Sequence, residues 1–163
     1  MTINACQKLV QSTLNGITST YTGPATAYIT PHDPDEMAPN PLIYIWGAHG
    51  REMRRAGPRG AGLAGGFKKV EHQIRVWCNL ATNIDNPSID ALFPVLLEAV
   101  KKALRQVPMP QTLTDPDDGT VSQLVSIGEQ FEWDYDTVRG LEEEAMIALT
   151  ALIVVTVIED QQG

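Results

Sequence analysis

The sequence predicts an α+β domain: a mainly antiparallel sheet of four to five strands, two helices packed on one of its faces, and one long hairpin loop. Three observations point there. Two stretches carry apolar residues at helical spacing, strongly β-forming stretches come in pairs that read as hairpins, and segments rich in proline or glycine separate them. With 163 residues the chain reads as one domain, 1–163, long enough to bury a core.

Residues 3–17 place Ile3, Cys6, Leu9, Val10, Leu14 and Ile17 on one helical face, with Thr2 as a possible N-cap and Asn15-Gly16 as the stop. A short strand, ATAYIT (25–30), follows. Four prolines in PHDPDEMAPNP (31–41) exclude regular structure there. LIYIWGA (42–48) is apolar on both faces and rich in β-formers, so it reads as a central strand. The loop, about 48–68, leads into VEHQIRVWCNL (70–80), which alternates cleanly. Val70, His72, Ile74, Val76, Cys78 and Leu80 point one way, and Glu71, Gln73, Arg75, Trp77 and Asn79 the other.

After the turn NIDNP, residues 88–106 carry the second helical stripe, with cations near its end where the helix dipole favours them. Pro94 should bend this helix or mark its true start. The proline-rich segment 107–120 reads as loop. Residues 121–135 alternate again, placing Val121, Val125, Ile127, Phe131, Trp133 and Tyr135 on one face. DTVRGLEEEA then turns the chain back into a last strand, 146–158.

Composition bounds the function. A net charge of −8 argues against a general nucleic-acid binder. The apolar run AMIALTALIVVTVI (145–158) is shorter than the roughly 20 residues that span a bilayer, so it reads as a buried strand. The N-terminus lacks the basic start and apolar block of a signal peptide, so a soluble, cytoplasmic protein is expected. Cys6 and Cys78, far apart and without a C-x-x-C pair, read as free buried thiols of a reducing compartment, the alternative being a disulfide between them.

Six of the twelve cations, Arg51, Arg54, Arg55, Arg59, Lys68 and Lys69, fall within nineteen positions. The same stretch contains GAGLAG (60–65), which fits the dinucleotide template G-x-G-x-x-G. That fingerprint needs a strand before it and a helix opening at its last glycine. Here RRAGPR precedes it, and the cleanest strand of the chain follows. No Walker pattern is present either, so no nucleotide cofactor is expected. A basic, glycine-rich loop instead reads as an interaction loop for an acidic or phosphate-bearing surface, the plain alternative being a solvated hairpin tip.

No catalytic or metal-binding constellation emerges. His72 reads as a core histidine, while His32 and His49 sit in loops with no nucleophile beside them. DPDDG (115–119) departs from a calcium loop and reads as a turn, and EEE (142–144) as a solvated charge run. Trp77, on the polar face of its strand beside Arg75, is either a contact beneath a loop or an interface anchor.

The order of elements resembles the tail-completion or tail-terminator proteins of long-tailed DNA bacteriophages. The resemblance rests on an N-terminal helix, PLIYIWG running up to a long hairpin loop, and EHQIRVWCN returning from it. SIDALFPVLLEAVKKAL and two closing strands complete it, across nearly the whole chain. It implies a structural virion protein and not an enzyme, with no cofactor. Such subunits assemble as a hexameric ring at the head-proximal end of the tail, where the ring ends the tail tube and receives the head connector. The implied partners are further copies of the chain, the tail-tube protein and a neck protein, with DNA passing the lumen unbound. Two alternatives stand beside it: another neck or minor tail component, or a small ligand- or nucleotide-binding module using the glycine loop.

Overall fold

The computed structural model describes residues 3–19, 23–29, 40–54, 67–83, 89–115, 119, 121–139 and 146–162. Helix α1 spans Ile3–Leu14 and α2 spans Ile89–Arg105. The strands are β1 (Thr26–Tyr28), β2 (Leu42–Arg54), β3 (Phe67–Asn83), β4 (Gln111–Thr114), β5 (Val121–Arg139) and β6 (Met146–Gln162).

These strands form one sheet in the order β1-β2-β3-β6-β5-β4. The expected four to five antiparallel strands are therefore corrected to a mixed sheet with six strands among the described residues, in a chain that is mostly sheet. Strand β1 is the parallel member, pairing Thr26 with Leu42 and Tyr28 with Tyr44. A parallel neighbour needs a connection of about a dozen residues, and residues 29–41 supply it. Strand β4 lies inside the segment expected to be loop. It follows Pro110 directly and pairs with β5 on one side only, at the sheet edge, where a nearby proline breaks no ladder.

Strands β3 and β6 pair without interruption from Phe67↔Gln162 to Asn83↔Met146. On the inner face Ile74, Val76 and Cys78 of β3 lie between Ile43 and Ile45 of β2 and Ala151, Ile153 and Val155 of β6, all buried. Both helices pack on this face and against each other. They bring Cys6, Val10 and Leu14 from α1, and Phe93, Leu96, Leu97, Val100 and Leu104 from α2.

The end of α1 comes where Asn15-Gly16 predicts it, with Gly16 at φ +81°. Its amide donates to the Ala25 carbonyl, and the Gln11 Nε2 donates to the Ala27 carbonyl at 3.0 Å, which ties α1 to β1. Helix α2 starts at Ile89 and runs through Pro94. In β5 the single alternating face is corrected. Val121 and Val125 are exposed while Leu124 and Ile127 are buried, because irregularities at Leu124/Ser126 and Ile127/Phe131 shift the alternation. Gly128, at φ +72°, sits within the second of these. The Arg105 guanidinium lies 4.9 Å from the centre of the Phe131 ring and joins the end of α2 to β5.

Candidate functional site

The face of the sheet that carries neither helix is built by period-two alternation from β1, β2, β3, β6 and β5. Two rows of register partners cross it. One reads Tyr28, Tyr44, Trp77, Leu152, Asp134, and the other Trp46, Arg75, Val154, Glu132. In the first row the rings touch in sequence. Tyr28 and Tyr44 have centroids 6.1 Å apart, and Tyr44 and Trp77 5.8 Å, tilted by 39° and 35°. Tyr44, Trp77, Leu152 and Val154 are half-buried, and Trp46 is 36% exposed. Arg75, Glu132 and Asp134 are exposed. The arrangement is a band of aromatic and aliphatic surface, with Arg75 inside it and carboxylates along its β5 side. Trp77 therefore lies in a row of rings on the outer face, flanked by Tyr44.

The predicted basic loop is corrected at both ends. Strand β2 continues to Arg54 and β3 begins at Phe67, so both ends of the segment 48–68 are paired ladder. Arg51 pairs with Glu71, Met53 with Lys69, and Arg54 with Lys68, beyond a register shift between Gly47 and His49. Backbone pairing does not require an apolar pattern, which is why HGREMR did not read as strand. Arg51 and Glu71 stand opposite each other with complementary charge, on the same side as Arg75 and Trp77. Arg51 is exposed and Lys69 half-buried. Arg55, Arg59 and the GAGLAG motif lie outside the described residues, as do His32 and EEE. A strand, not a helix, opens at Phe67 after the glycines. In DPDDG the Gly119 amide donates to the Asp115 carbonyl at 2.9 Å, with Gly119 at φ +73°.

A second group of side chains lies on the inner face, which the sequence reading missed. His72 pairs with Val157 in the ladder and Glu159 stands two residues further along β6, so the two are diagonal neighbours. His72 Nε2 lies 3.0 Å from Glu159 Oε2, and both residues are buried. Cys6 of α1 completes the group, and the three ligand-type atoms lie within 4.8 Å of one another. Burial first, then the negative charge of Glu159 and, more weakly, of Asp115, pushes the Cys6 thiol up to about 12. Cys78 is pushed up to about 12 by burial alone, and both thiols are free. The burial of His72 and of Cys6 was legible beforehand, but not their meeting with Glu159. The three are distant in sequence and follow no local spacing.

No helix among the described residues is long and apolar enough to cross a membrane. No protein-family model matches the chain, and no curated protein matches it.

Proposed function

We propose that this protein is a structural subunit of a bacteriophage tail: a tail terminator that closes into a ring, ends the tail tube and receives the head connector. The observation that carries the reading is the sheet face that, among the described residues, carries neither helix, with its row of Tyr28, Tyr44 and Trp77. Contiguous apolar surface of this kind on a small protein marks a protein–protein contact. Its charges favour head-to-tail association. Arg75 stands on the β2–β3 side, and Glu132 and Asp134 on the β5 side. A patch that is basic at one end and acidic at the other complements a neighbouring copy of itself, and head-to-tail contacts of this kind close into a ring where the rotation between copies closes.

In this reading Trp46, Arg75 and Trp77 serve contacts between subunits. The cations of the β2–β3 hairpin, Arg51, Arg54, Arg55, Arg59, Lys68 and Lys69, serve docking to tube or neck. DNA passes through the lumen without specific binding, and the protein resides in the virion at the head-proximal end of the tail.

Native mass spectrometry of the purified chain, alone and with the tail-tube protein, tests the proposal. The expected result is a ring of about six copies, alone or on addition of the tube protein. A monomer at every concentration that ignores the tube protein would overturn it.

A further inference from the structure

Cys6, His72 and Glu159 belong to α1, β3 and β6, yet their sulfur, imidazole nitrogen and carboxylate oxygen converge within 4.8 Å. All three residues are buried. Two features of the fold bring them together. The diagonal β3–β6 register sets His72 beside Glu159. Gly47, whose missing side chain leaves room for Ile3 on the sheet, lets α1 lie close enough for Cys6, about one turn further on, to reach them.

We propose that these three side chains form a zinc site that pins α1 to the centre of the sheet. A thiolate, an imidazole and a carboxylate are the donor types zinc takes in proteins, and three of them leave a fourth position for water. Charge favours this choice. Within the ligand set a divalent cation, one thiolate, one carboxylate and a neutral imidazole sum to zero, which lowers the cost of burying them together. The loaded site forms when the Cys6 thiol gives its proton to solvent and its sulfur bonds the metal. The distances suit the ion. Tetrahedral zinc with bonds of about 2.0–2.3 Å holds its ligand atoms roughly 3.5 Å apart, so the widest separation must close by at most about 1.3 Å while the His72–Glu159 pair opens by about 0.5 Å. Turning the Cys6 side chain supplies the closing movement.

The test uses the full chain, stripped with a chelator and then given Zn²⁺ or Co²⁺. One zinc per chain should survive gel filtration and raise the thermal midpoint by several degrees. The cobalt form should show the intense visible bands of a tetrahedral ion and a thiolate charge-transfer band. Cys6→Ala should lose the charge-transfer band, and Cys78→Ala should keep it. Zinc not retained, a pale octahedral cobalt spectrum, or a thiolate band that persists in folded Cys6→Ala would each overturn the proposal. Should Cys6→Ala fail to fold, the wild-type cobalt spectrum decides alone, since a tetrahedral thiolate complex requires a cysteine ligand and Cys78→Ala tests the other one.

Discussion

Replacing Gly47 by alanine tests how closely α1 lies on the sheet. A Cβ built at this position would overlap Ile3 Cδ1 and stand 2.8 Å from Cγ1 and 3.5 Å from Cγ2. Turning χ2 of Ile3 moves Cδ1 alone and leaves the clash with Cγ1. Relief therefore needs a change of χ1 or a displacement of the helix, and χ1 of a β-branched residue in a helix is stiff. Overpacking of this kind costs about 1–3 kcal/mol. Removing a glycine restrains the unfolded chain and returns about 0.5–1 kcal/mol. The net expectation for Gly47→Ala is a loss of about 1–2 kcal/mol, a fall of roughly 2–8 °C in melting temperature for a chain of this size. The assay is urea unfolding followed by tryptophan fluorescence, run as a cycle with Ile3→Ala. Shortening Ile3 removes the obstructing atoms, so the double variant should be more stable than the sum of the single losses by about 1–3 kcal/mol. Wild-type stability in Gly47→Ala, or strict additivity in the double variant, would refute the close packing of α1.

Further expectations concern the open face, the hairpin and the thiols. Trp77→Ala loses the ring contact with Tyr44 and should cost about 1–2 kcal/mol, whereas Trp46→Ala should cost under about 0.5 kcal/mol. Native mass spectra of both should show fewer rings, and intact rings from folded Trp46→Ala would remove that residue from the interface. Arg51→Glu sets two carboxylates opposite each other at Glu71 and should cost about 0.2–1 kcal/mol in urea unfolding, with Arg51→Gln costing less. Changing Arg51, Arg54, Arg55 and Arg59 together to Glu should leave circular dichroism unchanged and abolish complementation of a phage lacking the gene. Wild-type plaque yield would exclude the hairpin from docking.

Burial holds the Cys78 thiol protonated up to about 12, against an ordinary 9.0. Folding therefore retains a proton that the unfolded chain releases. The contribution is fully present below pH 9 and declines as pH rises toward 12, by about 1.4 kcal/mol for each pH unit. Urea midpoints measured from about pH 8 to about pH 10.5 should fall less steeply in Cys78→Ala than in the wild type, and equal slopes would contradict the burial of that thiol.

Periodicity alone located most of the secondary structure, because whether a stretch is helical or extended is written in neighbouring residues. The stripe of α1, its stop at Asn15-Gly16, and the two faces of β3 are of this kind. So is the placing of Trp77 and Arg75 away from the core, since alternation along a single strand decides it. What only the tertiary structure decided depends on partners far away in the chain. The sequence of β6 reads as a buried strand, but nothing local says that it lies between β3 and β5. HGREMR looks like loop until β3 is seen paired beside it, and β4 becomes a strand because an edge of the sheet is open to receive it. The irregularities in β5 that expose Val121 and Val125 exist only relative to β6. The meeting of Cys6, His72 and Glu159 is the plainest case. It is set by how near one helix can approach a glycine on the sheet and by a diagonal across two strands, and chemistry assembled through such long-range contacts leaves no spacing for a sequence to display.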